Sequence, residues 1–293
     1  MVALVVLLWQ APLVLRAATI RSDRLQETSG VVVSRAHRGV LWSHNDSGDG
    51  PYLYATDLSG TDRGRLRVAG AAAVDWEDMA SGPCPTGPGS CLYIGDTGDN
   101  ARERRWVAVY AVPEPAPPAA TRDTPATAAR RLRLRYPGGP RDVEALYVVP
   151  ADGTLFLVSK VRSGSARVYR VDRARWGADT VVTAVLVQEL RIPRSQPVTG
   201  AAMRADGRLV ALRVPDEVLL FTPGADGMLA PRGGPACRLP GLQAQGEALA
   251  FVDDSTLVLT SERAHGRRAA IHTVRCPSGP APTPPPDAVG RKP

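Results

Sequence analysis

The sequence of 293 residues is poor in lysine and in aromatic side chains, and its longest apolar run is too short to span a membrane. Only two of its 36 basic residues, Lys160 and Lys292, are lysines, and aromatic residues make up 5% of the chain. We therefore expect a core built mainly of Val, Leu, Ala and Ile. The arginines are scattered without interleaved aromatics, so the net charge of +7 does not indicate a nucleic-acid partner.

Sequence motifs of several enzyme classes are also absent. The chain has no GxSxG nucleophile elbow, no Walker loop, no HExxH pair and no Cys/His spacing typical of zinc sites. These absences argue against a serine hydrolase of the α/β type, a P-loop NTPase and a zinc protease. They leave open a site made of carboxylates and a cation, because such a site needs only Asp and Glu side chains.

The four cysteines favour two disulfide bonds. Cys84 and Cys91 flank a short loop, and Cys237 and Cys276 are expected to link the outer parts of two neighbouring structural units. An even number of cysteines in an exported chain is usually oxidised. The alternative is four free thiols in a cytosolic protein.

The two ends of the chain differ in composition from the middle. Residues 1–15 form an apolar run, and Ala17 and Ala18 follow it, so residues 1–18 resemble a secretory signal, although no Lys or Arg precedes the run. The alternative is a buried N-terminal strand. Residues 277–293 are rich in Pro and are expected to be extended or disordered. We therefore expect a protein that is secreted or exposed on the cell envelope, with its folded domain at residues 19–276.

Short β-rich runs, bounded by Gly, Pro, Asp and Ser, fill the middle of the chain and indicate an all-β fold. An acidic residue followed by small or apolar residues and a strand recurs at intervals of about 50 to 65 residues, close to the length of a propeller blade. Its copies begin at Glu27, Glu77, Glu144, Thr199 and Glu247. We predict one five-bladed β-propeller, with six blades as the alternative. The last unit contains three strands, so a strand near residues 18–22 is expected to close the ring.

The repeat also predicts where polar chemistry collects. In a blade the start of the first strand and the end of the second lie at the same end of the channel, because the two strands are antiparallel. The second strands end at Asp46, Asp96, Lys160, Arg213 and Glu262. Further polar residues lie beside the two sets, namely Asn45, Asp75, Asp78, Asp99, Asn100 and Asp142. A channel mouth rich in carboxylates is the result.

Crowded carboxylates raise one another's pKa and favour a bound cation, and Ca²⁺ suits a set of oxygen ligands. The loops HNDSGDG and GDTGDN, which follow two second strands, contain residues that wrap cations and also form tight turns. The expected Ca²⁺ ligands are Glu27, Asn45, Asp46, Glu77, Asp96 and Asp99. The expected catalytic residues are Glu144, Glu247, Lys160 and Arg213. The alternative is that these side chains only stabilise the blades.

Several segments make the chain similar to a group of secreted bacterial β-propeller proteins common in actinobacteria. They are ETSGVVVS, LWSHNDSGDGPYLYATDLSG, VDWEDMASGP, LYIGDTGDN, RYPGGPRDVEALYVVPADG and QGEALAF. The group is more distantly similar to phytase-like esterase-domain propellers and to gluconolactonase and strictosidine-synthase-like propellers. The distant resemblance implies Ca²⁺-dependent hydrolysis of phosphate esters or lactones. The positions that would correspond to metal ligands are Glu27, Asn45, Asp46, Glu77, Asp96, Glu144 and Glu247.

Two functions follow from the sequence. The first is an exported, metal-dependent hydrolase of an ester, lactone or phosphate ester, in which Lys160 and Arg213 orient an anionic substrate. The second is a non-catalytic propeller that binds a ligand or a protein at the same mouth. In both cases we expect a monomer whose partner is a small anionic or polar ligand.

Overall fold

Turn residues divide the chain into short antiparallel strands, and these strands form five sheets arranged as the blades of a propeller. The structure is a computed structural model that describes residues 12–118, 124–125, 128–160, 165–192, 196–233, 237–243, 245–264 and 266–276. The predicted five-bladed propeller is confirmed, and the six-bladed alternative is wrong. The predicted Pro-rich tail and residues 1–11 of the signal-like segment lie outside the described residues, so the predicted domain boundaries stay predictions.

The first strand, β1 (Leu13–Thr19), belongs to the last blade, and the other strands follow the order of the chain. Blade 1 contains β2 (Thr28–Val33), β3 (Leu41–Asn45), β4 (Tyr52–Thr56) and β5 (Asp62–Arg67). Blade 2 begins with β6 (Trp76–Pro83), β7 (Ser90–Asp96) and β8 (Val107–Pro113). The short strand β9 (Thr124–Pro125) then adds to blade 1, parallel to β5, and β10 (Arg130–Arg135) completes blade 2.

Blades 3 to 5 repeat this plan. Blade 3 contains β11 (Val143–Val148), β12 (Leu155–Ser159), β13 (Ser165–Val171) and β15 (Val185–Arg191), whereas β14 (Val182–Thr183) adds to blade 2 beside β10. Blade 4 contains β16 (Gly200–Met203), β17 (Val210–Val214), β18 (Glu217–Pro223), β19 (Leu229–Pro231) and β20 (Cys237–Arg238). Blade 5 contains β21 (Gly246–Phe251), β22 (Thr256–Ser261), β23 (Ala270–Arg275) and β1.

The ring closes through strands from both termini, as the sequence predicts. Strand β1 pairs antiparallel with β23, from Leu13 opposite Arg275 to Thr19 opposite Ala270. The closing strand thus begins earlier than the predicted position near residues 18–22, and it overlaps the segment that resembles a signal. Its side chains are mostly exposed, and Leu13 is 56% exposed, because an outermost strand has no further blade to pack against.

The core lies between neighbouring blades. Five apolar clusters of described residues each join two adjacent blades, and together they form a ring around the channel. Aliphatic side chains predominate, as expected, but most of the few aromatics are buried as well. Trp42 and Trp76, for example, are at most 1% exposed and lie in the cluster between blades 1 and 2. These large rings contribute much of the apolar area buried between the two blades.

Both predicted disulfides are present. Cys84 bonds to Cys91 within blade 2, and Cys237 bonds to Cys276, which joins blade 4 to the end of blade 5. Two disulfides indicate an oxidising environment. Across the described segments, no helix has the length and apolar character needed to cross a membrane.

Candidate functional site at the channel mouth

Local backbone irregularities place the acidic side chains at one end of the channel. The innermost strands of blades 1, 2, 3 and 5 each shift register against their partner near the start of the strand. Such a bulge re-aims a side chain. In blade 4 the register between β16 and β17 is continuous, and this is the blade in which Thr199 replaces the recurring glutamate. The repeated acidic motif therefore coincides with the bulges, and it builds the channel mouth.

Five carboxylates form the acidic cluster of this mouth. The members are Asp46, Asp75, Glu77, Asp142 and Glu144. They divide into two groups of three, and Glu77 belongs to both groups. Within each group, one oxygen of every carboxylate lies within 4.8 Å of the others. Three blades contribute these residues. Asp46 follows β3 in blade 1, Asp75 and Glu77 lie at the start of β6 in blade 2, and Asp142 and Glu144 lie at the start of β11 in blade 3.

Burial makes Asp46, Asp75, Glu77 and Glu144 hard to ionise. Glu77 is 6% exposed, and its burial together with the charges of Glu144 and Asp46 raises its pKa well above the ordinary value. Burial also raises the pKa of Glu144 to about 8 and, reinforced by neighbouring carboxylates, that of Asp75 to about 6. The pKa of Asp46 is raised for the same reason. Full ionisation of the cluster would therefore create more negative charge than its surroundings neutralise.

Lys160 is the cation of the acidic cluster. Its ammonium group donates a hydrogen bond to a carboxylate oxygen of Glu144, and the two side chains form an ion pair. Burial alone would lower the pKa of Lys160, but the attraction of Glu144, Asp142 and Glu77 outweighs it and raises the pKa. Two of the predicted catalytic residues are thus in direct contact. One ammonium group cannot balance five carboxylates.

The turn after β7 leaves space for the carboxylates because it contains a glycine. A Cβ atom on Gly98 would lie 2.1 Å from Oε1 of Glu77 and 2.4 Å from Oδ2 of Asp75. The backbone N–H of Gly98 donates to the carbonyl oxygen of Asp75. Gly98 therefore brings the turn against the cluster without displacing either carboxylate.

Two predicted ligands in this turn bind protein groups instead. One carboxylate oxygen of Asp96 accepts from Nη2 of Arg104 at 2.9 Å and from the backbone N–H of Asp75 at 3.1 Å. The carboxylate of Asp99 accepts the backbone N–H groups of Glu103 and Arg104, and so caps the turn. Both residues lie beside the acidic cluster and stabilise the loop that carries Gly98.

Of the predicted ligands of blade 1, one binds protein groups, one is exposed and one lies in the acidic cluster. The amide oxygen of Asn45 accepts the backbone N–H groups of Gln26 and Glu27, each at 3.0 Å, and its amide nitrogen donates to Asp49. Asn45 therefore ties the segment before β2 to the loop after β3. The side chain of Glu27 is exposed at the rim, whereas Asp46 lies in the acidic cluster.

Blade 5 contributes a second acidic region at the mouth. Burial raises the pKa of Glu247, against the attraction of Lys160 and Arg213. Burial, together with the charges of Glu247 and Asp46, raises the pKa of Glu262 to about 7. Gln245 donates a hydrogen bond to the Glu262 carboxylate. The predicted catalytic residue Glu247 thus faces the channel near the acidic cluster.

Arg213, also predicted to be catalytic, is 0% exposed. Its guanidinium donates to the carbonyl oxygens of Ala248 at 3.2 Å and Thr260 at 3.4 Å, and to Oε1 of Gln243 at 2.6 Å. Burial lowers its pKa to about 10. The side chain therefore joins blade 4 to blade 5, and a ligand at the mouth has no open path to it.

Asp78, which follows Glu77 on β6, is 0% exposed. Its carboxylate accepts the backbone N–H groups of Met79 at 2.8 Å, Leu146 at 2.9 Å and Ala201 at 2.9 Å. Burial raises its pKa to about 8, and these three donors oppose that rise. One side chain thus connects the innermost strands of blades 2, 3 and 4.

Comparisons with known proteins add little to this description. No protein-family model and no curated protein matches the chain. One similar solved structure is a structural-genomics protein of unknown function from Bacteroides thetaiotaomicron, with 10% sequence identity. The similarity covers 89% of this chain and 72% of that chain, with a TM-score of 0.49.

Proposed function

We propose that the channel mouth binds a divalent cation, Ca²⁺, through the acidic cluster, and that the cation holds the anionic group of a small ligand. The supporting observation is that Glu77, 6% exposed, belongs to two groups of three converging carboxylates. Ca–O distances are about 2.4 Å, so two oxygens that share one ion lie at most about 4.8 Å apart. Both groups satisfy this limit.

The charge of the cluster supports a divalent ion. Five buried or half-buried carboxylates surround one ammonium group, and the pKa shifts of Glu77 and Glu144 reflect their burial and mutual repulsion. Either protons or a cation must relieve this repulsion at neutral pH. Of the Ca²⁺ ligands expected from the sequence, Asp46 and Glu77 belong to this set, and so does Glu144, which the distant resemblance implies as a ligand; Asp75 and Asp142 complete the set.

Thermal unfolding with Ca²⁺ and with EDTA tests the proposal. A cation that binds only the folded chain at a hundred times its Kd adds about 2.7 kcal/mol of stability. We therefore expect Ca²⁺ to raise the Tm by several degrees and Glu77→Gln to abolish the rise. The matched control is Glu189→Gln, because Glu189 is exposed and pairs with Arg167 on blade 3. Equal Tm values in millimolar Ca²⁺ and in EDTA would refute the metal site.

A substitution of Gly98 tests the geometry of the cluster without removing a carboxylate. The Cβ atom of Gly98→Ala would displace the flexible ends of Glu77 and Asp75, so the fold should persist while the affinity for Ca²⁺ falls by about tenfold or more. Calorimetric titration with Ca²⁺ measures the change. Gly233→Ala is the control, since a Cβ atom there meets nothing within 4 Å. Unchanged affinity in the Gly98 variant would contradict the assigned ligands.

Metal-dependent hydrolysis is the second candidate function. The specific observation is that burial and neighbouring carboxylates raise the pKa of Glu262, beside the cluster, to about 7 and that of Asp75, within it, to about 6. Carboxylates in this range can accept a proton from an attacking water near neutral pH. A bound Ca²⁺ would polarise the oxygen of an ester, a lactone or a phosphate ester. Glu144→Gln separates the functions, because hydrolysis above background in the wild type and its loss in the variant would exclude a purely binding role.

We also propose that the protein is exported. The support is the pair of disulfides, together with the apolar composition of the residues that precede β1. The disulfide between Cys237 and Cys276 closes a loop across two blades, so an oxidising compartment contributes to the stability of the ring.

A further inference from the structure

We propose that blade 2 contains a second site, a pocket that binds an oxyanion carried on a flat apolar group. We call it the arginine pocket, and it has a volume of about 400 Å³. It lies between the start of β8 and the loop after β10, on the same side of the propeller as the mouth. Its lining residues are Arg104, Arg105, Trp106, Arg135, Tyr136 and the loop at 137–140, with Val107, Leu134 and Thr183.

The charge of the pocket is opposite to that of the mouth. Three arginines line it, and no acidic residue is among its lining residues. Arg104 pairs with Asp96, and Nε of Arg135 donates to Oγ1 of Thr183 at 3.0 Å. Neither Arg105 nor Arg135 forms an ion pair with a carboxylate in the described part of the chain. Two guanidinium groups are thus available to an anion.

Tyr136 forms part of the wall of the pocket and belongs to the buried apolar cluster between blades 2 and 3. Tyr136 is 5% exposed, and its hydroxyl group has no hydrogen-bond partner among the described residues. Its ring packs against Tyr169, with 4.8 Å between the ring centroids. Burial raises the pKa of Tyr136 well above its ordinary value, so the hydroxyl stays protonated. The hydroxyl group is closed off from solvent, so Tyr136 supports the pocket wall and does not bind a ligand there.

The remaining walls are apolar and flat. Trp106 is 42% exposed, which is unusual for a residue of this type, and Pro137 and Pro140 lie in the loop opposite it. Nη2 of Arg141 donates to the carbonyl oxygen of Gly138 at 3.0 Å and so fixes this loop. An indole ring beside arginines suits a planar ligand that carries a negative group, such as an aryl phosphate, sulfate or carboxylate.

Arg104 connects the arginine pocket to the acidic cluster. It lines the pocket, and its Nη2 binds the same oxygen of Asp96 that accepts the backbone N–H of Asp75. Only the Asp96 carboxylate lies between Arg104 and Asp75 in this chain of hydrogen bonds. A ligand whose oxyanion lies in the arginine pocket can therefore extend past Asp96 toward the acidic cluster. Contact between such a ligand and the cluster depends on the proposed cation site, whereas binding in the arginine pocket does not.

Calorimetric titration with phenyl phosphate, in EDTA, tests the pocket without the cation. We expect wild-type protein to bind this probe, and the double variant Arg105→Gln/Arg135→Gln to bind it about a hundredfold more weakly, since each charge-assisted hydrogen bond is worth about tenfold or more. The control is Arg38→Gln/Arg191→Gln, which makes the same charge change at exposed positions on other blades. Weak binding by both double variants would identify a non-specific charge effect and would overturn the site.

Tyr136→Phe is the second variant. Removing a buried hydroxyl without a partner should leave the Tm unchanged or raise it, and the affinity for phenyl phosphate should stay close to that of the wild type, because this hydroxyl is closed off from the pocket. Failure of wild-type protein to bind millimolar phenyl phosphate in EDTA would overturn the pocket, even if Ca²⁺ raised the Tm. Binding in EDTA without any stabilisation by Ca²⁺ would keep the pocket and refute the cation site, so the two failures are distinguishable.

Discussion

Replacement of Asp78 by alanine is expected to lower the free energy of unfolding by about 4 kcal/mol, because it leaves three buried backbone donors without acceptors. These donors are the N–H groups of Met79, Leu146 and Ala201, on the innermost strands of three blades. Each unsatisfied buried donor costs about 1–3 kcal/mol. The loss of stability should be large because these three N–H groups lie where separate sheets meet. The Asp78 carboxylate accepts the hydrogen bonds that a neighbouring strand accepts within a sheet.

Urea unfolding measures this loss, and a graded series makes it specific. Asp78→Asn keeps one carbonyl oxygen, which can still accept from Leu146 and Ala201, but its amide group faces the N–H of Met79. We expect it to lose about half as much stability as the alanine variant. Asp254→Ala is the control, because Asp254 is exposed on the opposite side of the propeller. An alanine variant at position 78 as stable as this control would contradict the role of Asp78 as a connection between blades.

The sequence predicts the fold well because its strongest signal is a repeat. The acidic motif at Glu27, Glu77, Glu144 and Glu247 recurs where four innermost strands change register at the mouth. The same backbone irregularity in each blade selects the same residue types, and the spacing then gives the number of blades. The exception at Thr199 is informative too, since its hydroxyl donates to blade 5 carbonyl oxygens at the position of an acid elsewhere.

The candidate site is predicted only in part, because strand ends are periodic and loop conformations are not. The antiparallel order of the first and second strands of each blade predicts that Asp46, Glu77 and Glu144 lie at one end of the channel, and the structure brings them into one cluster. The sequence does not reveal that the side-chain oxygens of Asn45 and Asp99 accept backbone N–H groups, because these hydrogen bonds depend on the conformations of two loops. A polar side chain in a turn has many potential donors nearby, and the sequence does not indicate which donor it meets.

The same limit explains what sequence reasoning missed at the mouth. Gly98 was visible only as a turn residue, although its lack of a Cβ atom gives the carboxylates their space. Arg104 and Tyr136 belong to no repeat, and they approach the mouth because the loops after β7 and β10 lie side by side. Arg213 follows the repeat, yet its side chain turns into the interface between blades 4 and 5. Position along a strand predicts the end of the channel but not the direction of a long side chain.

In EDTA the stability of the protein is expected to fall by about 2 kcal/mol between about pH 7 and 8.5. The pKa values of Asp78 and Glu144 rise to about 8 on folding, and that of Glu77 is also raised. The folded chain therefore binds more protons than the unfolded chain in this range, so raising the pH favours unfolding. His44 acts in the opposite direction at lower pH, because burial lowers its pKa to about 4, and its contribution is lost as the pH falls below 6.5.

Either protons or Ca²⁺ can relieve the repulsion between the carboxylates of the acidic cluster. Urea unfolding at the two pH values, once in EDTA and once in Ca²⁺, distinguishes the two. Deprotonation creates the ligands that Ca²⁺ needs, so the stabilisation by Ca²⁺ should grow with pH and offset the loss seen in EDTA. Glu77→Gln removes one raised pKa and one ligand, and it should weaken both dependences together. Constant or rising stability in EDTA between these pH values would contradict the protonated cluster. Equal stabilisation by Ca²⁺ at both values would place the ion away from these carboxylates.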